Sequence, residues 1–300
     1  MLNCTIKKIL ISILISVASF SHIQAKIFLP TFETTRLKGT AGAGVASLLI
    51  DEANQLNPSS SAFLNVGSLY LQKANITSSN TNNNTSTESD QVNFIASDSK
   101  GRSSGSISYS KMNIGEQSVK NMGASLATPI GERSSIGVSF NKLEQNLLSA
   151  NNELSENTFN MTTFGVTHLL SESLTMGMVL RDAFRKKENE SRVLIGAQYL
   201  YGSYISLMLD VGSDYKSQLS ERFQWRTATQ IKILNDFYAR FGVFNDKGNQ
   251  TKGSGVGIGW IQPKLTVEVA IKNTDALESV ALNQLEENIK ETTFSLSYRF

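Results

Sequence analysis

The sequence predicts an all-β fold, a membrane-spanning antiparallel β-barrel of about 14 strands with a short N-terminal hatch helix in its lumen. Three observations predict the barrel. Amphipathic strand patterns recur along the chain, short and long links alternate between them, and the last strand has one apolar face. Only alternate residues of a barrel strand face lipid, which fits a hydrophobic fraction of 40%.

The first 25 residues are typical of a secretory signal peptide. Lys7 and Lys8 precede an apolar run, Ile9–Phe20, and small residues lead up to Ala25. The run is shorter than the about 20 residues of a transmembrane helix. Cleavage after Ala25 removes the single cysteine, Cys4, and takes the formal net charge from +2 to zero. The mature chain then lacks thiol chemistry and the basic excess expected for nucleic-acid binding.

Residues 26–63 precede the strands and are predicted to form the hatch. Their apolar residues have helical spacing, and Pro58 is placed to end the helix. One short helix is not stable alone in water, and a wide barrel leaves an open channel unless something fills it. The helical stripe consists of Val45, Leu48, Leu49, Ala53 and Leu56.

Residues 64–300 are predicted to form the barrel. The clearest strand is 264–272, in which Leu265, Val267, Val269 and Ile271 share one face. Similar alternation occurs in 135–141, 204–212, 223–233 and 255–260. The remaining strands are predicted at 66–72, 91–97, 105–112, 119–128, 158–169, 173–184, 192–201, 237–245 and 292–300.

The links between strands alternate in length. Short links at 129–132, 171–173, 202–203, 235–236 and 262–263 carry turn residues. Longer polar links lie at 73–90, 142–157, 185–191, 213–221, 246–252 and 273–291. Outer-membrane barrels show this alternation, and an even strand number places both termini in the periplasm. A soluble β-sandwich, the alternative, does not require it.

Two of the longer links have a distinct composition. Residues 78–90 are rich in Asn, Ser and Thr and predict a mobile extracellular loop. In 275–291, apolar residues recur every fourth position and predict a short amphipathic helix.

Charged residues lie opposite the apolar face of several strands. We expect them to face the lumen, because a Lys or Arg facing lipid at mid-depth costs about 2–4 kcal/mol. In the lumen they would fill and hydrate the interior. These residues are Arg226, Lys232, Arg240, Lys264, Glu268 and Lys272.

The C-terminal strand has an aromatic face that ends the chain. Phe294, Leu296, Tyr298 and Phe300 lie on one side, and residues 293, 295, 297 and 299 are polar. This pattern resembles the signal by which the barrel-assembly machinery recognises outer-membrane proteins. It therefore predicts that machinery and outer-membrane lipid as partners, and the bacterial outer membrane as the location.

Residues 36–63 resemble the N-terminal region of the FadL-like superfamily, which contains long-chain fatty acid transporters and PorV-like proteins. The matching elements are Gly42–Gly44, the pair Asp51 and Ala53, and Asn57–Pro58. Residues 59 and 60 are serines in place of the usual Ala-Gly. The resemblance implies a 14-stranded barrel with this segment folded inside it as a hatch.

The resemblance also implies a function, the passive uptake of small hydrophobic molecules such as long-chain fatty acids by a monomer without a cofactor. The predicted ligand pocket near the hatch consists of Val45, Leu48, Leu49, Leu56, Asn57 and Pro58. Two alternatives stay open: a non-transporting barrel that docks other proteins, and a general porin.

An enzyme is not expected. Outer-membrane hydrolases need a histidine that works with a serine or an acidic partner at the outer rim. The mature chain has one histidine, His168, which falls beside a short link and so at the periplasmic end. One histidine and no cysteine also disfavour a transition-metal site.

Overall fold

The computed structural model describes residues 31–80, 85–148, 154–187, 190–216, 219–278 and 286–300. In these ranges, fourteen antiparallel strands close into one barrel, in which every strand pairs with its sequence neighbours and β1 pairs with β14. The predicted antiparallel β-barrel of about 14 strands is confirmed, and each predicted strand has a counterpart. The predicted signal peptide, residues 1–25, lies outside the described residues.

The strands are β1 (Gly67–Asn80), β2 (Thr85–Asp98), β3 (Ser104–Ile114), β4 (Gln117–Ile130), β5 (Ser134–Leu148), β6 (Leu154–Leu169), β7 (Leu174–Arg181), β8 (Arg192–Tyr201), β9 (Ile205–Ser213), β10 (Gln224–Lys232), β11 (Phe237–Asp246), β12 (Thr251–Ile261), β13 (Leu265–Ala276) and β14 (Glu287–Arg299). The helical elements are α1 (Thr35–Gly39), the 3-10 helix η1 (Pro58–Phe63) and α2 (Leu219–Arg222). Among the described residues, no helix combines the length and apolarity needed to cross a membrane.

Side chains alternate between the inside and the outside of the barrel along each strand. In β14, Phe294 and Phe300 are 52% and 50% exposed on the outside, whereas Ser295 is 1% exposed on the inside. The same alternation places Val269 outside and Glu268 inside on β13. A closed barrel with an apolar outer band and a polar interior is the architecture of bacterial outer-membrane proteins.

The short links lie at one end of the barrel. The five predicted short links all fall at turns between consecutive strands, and Gly131 and Gly202 adopt the positive φ angles that tight turns require. A backbone bond from Gly67 N to the Phe300 carbonyl, 3.0 Å long, closes the barrel at this end. In an outer-membrane barrel, this end faces the periplasm.

Four of the six longer links are shorter than predicted, because the strands continue into them. β1 extends to Asn80 and β2 starts at Thr85, so the loop predicted at 78–90 is wrong for its described residues. β1 has 14 residues and β6 has 16, whereas a strand crosses the bilayer in about 9–11. Beyond the bilayer both faces of a strand meet water, so the hydrophobic alternation stops although the backbone pairing continues.

The amphipathic helix predicted at 275–291 is wrong at both of its described ends. β13 continues to Ala276, and β14 begins at Glu287. Ile289, which supported the helical spacing, is 1% exposed on the inner face of β14. Ala281 and Leu285 lie outside the described residues.

Residues 31–63 lie inside the barrel, and we call them the plug. α1 packs against β12 and β13, and η1 packs against β4, β5 and β6. The helix predicted across 45–56 is wrong, since that stretch consists of turns. Ala41, Gly42 and Gly44 have positive φ angles, which prevent a helix from continuing beyond α1. Pro58 opens η1 instead of ending a helix.

Candidate functional site

The Asn-Pro motif fastens the plug to the barrel wall. Asn57 Nδ2 donates to the Val45 carbonyl at 2.7 Å and to Thr167 Oγ1 on β6 at 3.0 Å. Asn57 Oδ1 accepts from Ser59 N at 3.1 Å, which caps η1. Pro58 occupies the first turn of η1, where its missing N–H has no partner to lose. One asparagine therefore joins two parts of the plug to a strand.

The glycine-rich stretch of the plug is held by side chains of β9 and β10. Gly44 N donates to Asp210 Oδ2 at 2.8 Å, and Val45 N donates to Asp210 Oδ1 at 3.2 Å. Arg226 Nη1 donates to the Gly42 carbonyl at 3.0 Å. The barrel side chains thus satisfy backbone groups that a helix would have paired internally.

Pairs of facing glycines on adjacent strands make room for the plug backbone. A Cβ added to Gly137 would come within 2.5 Å of the Pro58 carbonyl carbon, and one added to Gly255 would collide with the Lys38 carbonyl. The sequence analysis did not identify these glycines as the place where the plug contacts the wall, although glycine inside a strand is a signal for close backbone approach. The pairs are Gly137–Gly165, Gly177–Gly196 and Gly242–Gly255.

Buried ion pairs tie the plug to the wall. Lys38 Nζ lies 2.7 Å from Glu291 Oε2 on β14, and Lys272 Nζ on β13 lies 2.6 Å from Glu33 Oε2. Lys38 has no exposed side-chain surface, and it also donates to Gln91 Oε1 at 3.1 Å. Two further pairs lie within the plug and within the wall: Arg36–Glu52 at 3.0 Å and Arg240–Glu268 at 2.7 Å.

The residues predicted to face the lumen fall into two groups. Five of them lie on the inner faces of β10, β11 and β13: Arg226, Lys232, Arg240, Glu268 and Lys272. Lys232 is half-buried near the end of β10, and the other four contact the plug or one another. The sixth, Lys264, was placed wrongly in the lumen, because it lies exposed in the turn before β13.

The predicted apolar pocket of the hatch does not form one surface. Val45 and Leu56 are buried together against Val179 of β7 and Leu194 of β8. Leu48 and Leu49 instead line a cavity of about 340 Å³ towards the short-link end of the barrel. The rest of its lining combines further apolar residues, among them Ile50, Leu64 and Val66, with the ion pairs Arg36–Glu52 and Arg240–Glu268. The cavity therefore offers both apolar and charged surface.

Apolar side chains meet inside the barrel towards the long-link end, and we call them the apolar cluster. Phe32 of the plug packs beneath them. The sequence analysis predicted a polar lumen and did not identify these residues. Each one lies on a strand face that is otherwise polar. The apolar cluster consists of Ile76, Met112, Ile114, Val119, Leu143 and Ile289.

A smaller cavity of about 70 Å³ separates the apolar cluster from the plug, and we call it the amide cavity. Its apolar lining is Phe32, Leu56, Val119, Leu143 and Met161, and five of its ten polar lining residues are Asn or Gln. Apolar residues beside placed polar groups are a feature of small-molecule sites.

The link between β7 and β8 contributes an ionic group to the amide cavity. Glu190 lies 3.1 Å from Arg181 Nη2 and 3.5 Å from Lys187 Nζ. Burial alone would raise the pKa of Glu190, but Arg181, Lys187 and Arg192 outweigh it and lower the pKa from 4.5 to about 2. Glu190 is therefore ionised at neutral pH and neutralises one of the two cations beside the cavity.

His168 lies away from both cavities. Its Nδ1 is 2.8 Å from Ser134 Oγ, and the pair lies exposed at the short-link ends of β5 and β6. Neither residue lines the cavities described above.

No protein-family model matches the sequence, and no curated protein matches it significantly. Solved structures do match. The CymD monoaromatic hydrocarbon channel aligns with a TM-score of 0.65 at 10% identity, over 89% of this chain and 97% of that chain. The Ralstonia pickettii toluene transporter TbuX gives 0.63 at 11%, over 90% and 98%. A Pseudomonas aeruginosa FadL homologue gives 0.59 at 13%, over 91% and 98%.

The fold is that of a FadL-like outer-membrane barrel. The predicted resemblance is thus confirmed at the level of the fold. The similar structures are described as channels and transporters, not enzymes. Because the identities are low, residue roles have to be argued from the contacts of this chain itself.

Proposed function

We propose that this chain is an outer-membrane barrel that lets small hydrophobic molecules diffuse through it, with the plug as its hatch. The observation that carries the proposal is the apolar cluster, which faces the lumen directly above the plug. A water-filled porin has a polar interior. Six buried apolar side chains at the mouth of a plugged lumen suit the capture of an apolar solute.

The plug supports gated passage rather than an open pore. Many of its contacts with the wall are hydrogen bonds and ion pairs, such as Lys272–Glu33, which water can replace when the plug shifts. The cavity on the short-link side combines apolar residues with the ion pairs Arg36–Glu52 and Arg240–Glu268, so a hydrophobic molecule that passes the plug would meet a partly charged surface there. We therefore propose capture at the apolar cluster, displacement of the plug, and exit to the periplasm or laterally into the membrane, without ATP or a cofactor.

The prediction of long-chain fatty acids is narrower than these contacts support. A carboxylate entering the amide cavity would compete with Glu190 for Arg181 and Lys187. The neighbours with this fold are described as channels for monoaromatic hydrocarbons and as toluene transporters. We therefore propose small uncharged hydrophobic molecules as the main substrates and fatty acids as weaker ones.

Two further expectations belong to this proposal. The exposed aromatic face of β14 is available to the barrel-assembly machinery before the barrel closes, so we propose that contact as the insertion signal. We also propose a monomer, because pairing of β1 with β14 leaves no open sheet edge for a second copy.

Uptake by proteoliposomes tests the proposed function. Full-length protein should speed the entry of labelled toluene, and Leu143→Asn should slow it several-fold because it places an amide in the apolar cluster. Leu154→Asn is the matched control, since Leu154 is 58% exposed on β6.

Three outcomes would contradict the proposed function. Free passage of small ions through the full-length protein would show a general porin. Equal toluene entry in Leu143→Asn and in the full-length protein would remove the apolar cluster from the route. A barrel that admits neither toluene nor a fatty acid would favour the protein-docking alternative.

A further inference from the structure

The amide cavity contains a group of polar atoms that have no protein partner. Asn54 and Gln55 enter it from the plug, and Asn121 and Asn141 enter it from β4 and β5. Within the described part of the chain, both polar atoms of Asn54 and of Gln55, and the Oδ1 atoms of Asn121 and Asn141, are buried without a hydrogen bond. Asn54 is 5% exposed, and Asn121 and Asn141 are each 9% exposed.

Such atoms are uncommon in folded proteins, where most buried polar groups are paired. Here six of them belong to four residues that line one cavity, so local strain at a single residue does not account for them. The cavity has room for several water molecules. A polar guest, either water or the polar group of a ligand, therefore belongs in it.

The remaining lining determines what kind of guest fits. Phe32, Val119, Leu143 and Met161 form the apolar side of the cavity, so the guest needs an apolar face as well as a polar one. A plain hydrocarbon would leave the amides without partners, and a site built for a hydrogen bond discriminates strongly against a molecule that lacks one. A free carboxylate would have to compete with Glu190, which already contacts both Arg181 and Lys187.

We propose that the amide cavity binds a small neutral amphiphile, whose hydroxyl or amide group bonds to Asn54, Gln55, Asn121 and Asn141 while its body lies against the apolar cluster. This inference rests on the proposed function and narrows its substrate class from hydrocarbons in general to hydroxylated or amide-bearing ones. Because Asn54 and Gln55 belong to the plug, the guest contacts the hatch and the wall together.

Binding of three matched aromatics to the full-length protein tests the inference. Phenol and toluene have nearly the same shape and differ by a hydroxyl in place of a methyl group, and benzoate adds a charge. Calorimetry in detergent, corrected with protein-free micelles, should show phenol binding at least about tenfold more tightly than toluene and than benzoate.

Asn→Leu substitutions then assign the preference to the amides. In Asn121→Leu with Asn141→Leu, phenol should lose its advantage over toluene while toluene still binds. Asn75→Leu, on the exposed outer face of β1, is the matched control and should keep the preference for phenol. If the double variant does not assemble, the comparison of the three aromatics in the unmodified protein still decides.

Each contrary result overturns a different claim. Equal affinity for phenol and toluene would show that retained water satisfies the amides, which refutes this inference but leaves the proposed function standing. Tighter binding of benzoate would show an anion site and would also refute it. Absence of binding by all three would refute both the inference and the proposed capture of hydrophobic molecules.

Discussion

Removing one charge of the Lys38–Glu291 pair should loosen the plug. The pair has an Nζ–Oε2 distance of 2.7 Å, and its side chains are 0% and 3% exposed. Lys38→Met leaves the Glu291 carboxylate buried without its cation and deprives Gln91 Oε1 of a donor. In the displaced plug, water solvates the carboxylate, so the cost falls on the docked state alone.

The magnitude follows from burial. Breaking a buried pair by removing one partner costs about 3–5 kcal/mol, because the remaining charge is uncompensated. Because about 1.4 kcal/mol corresponds to a factor of ten, this cost shifts the equilibrium between docked and displaced plug by roughly two to four orders of magnitude. The double variant, Lys38→Met with Glu291→Met, should restore most of the preference for the docked plug. An apolar pair often replaces a buried ion pair at little cost in stability.

Single-channel recording in planar bilayers measures this equilibrium. The full-length protein should be nearly silent, Lys38→Met should open frequently, and the double variant should be nearly silent again. Lys73→Met removes an exposed charge on the outer face of β1 and should stay silent. The reasoning fails if Lys38→Met is as silent as the full-length protein, or if the double variant opens as often as the single one.

Three further predictions concern Phe300, the two faces of β13, and the link between β7 and β8. Deleting Phe300 should lower the heat-modifiable, folded fraction in outer membranes, and normal levels would count against the assembly signal. With single cysteines at 268 and 269, a lipid-soluble quencher should reach a label at Val269 and not at Glu268, and the reverse would refute the register. The pKa of Glu190 is lowered, so its contribution to loop stability is present above about pH 4.5 and is lost as the pH falls towards about 2. The protection factors of the Lys186 and Lys187 amides, which donate to Asp182, should fall across that window, and they should depend less on pH in Glu190→Gln.

The fold was largely predictable because period-two alternation is imposed by the lipid outside and by the lumen inside. It located all fourteen strands, including β13 and β14 with their correct faces. This alternation did not predict the parts of the strands that extend beyond the bilayer. The outer parts of β1 and β2 are wet on both faces, so their pairing left no hydrophobic pattern and they were interpreted as a loop.

The site was less predictable, because it depends on contacts between residues far apart in sequence. The motif residue Asn57 was identified, but its partner Thr167 is separated by 110 positions. Helical spacing in 45–56 was misleading, because Val45 and Leu56 meet in one cluster with Val179 and Leu194 through turns of the chain and not along one helix. Ile76 and Ile289 belong to one cluster that only the closure of the barrel between β1 and β14 brings together.

The central claim is that residues 31–63 keep the lumen closed, and removing them tests it most directly. Deleting residues 31–60 leaves every strand and the C-terminal aromatic face in place, so the barrel should still assemble, as checked by heat modifiability. In planar bilayers the truncated barrel should conduct in large, steady steps, whereas the full-length protein should be nearly silent. Equal conductance of the two assembled barrels would show that the plug does not close the lumen and would contradict the account.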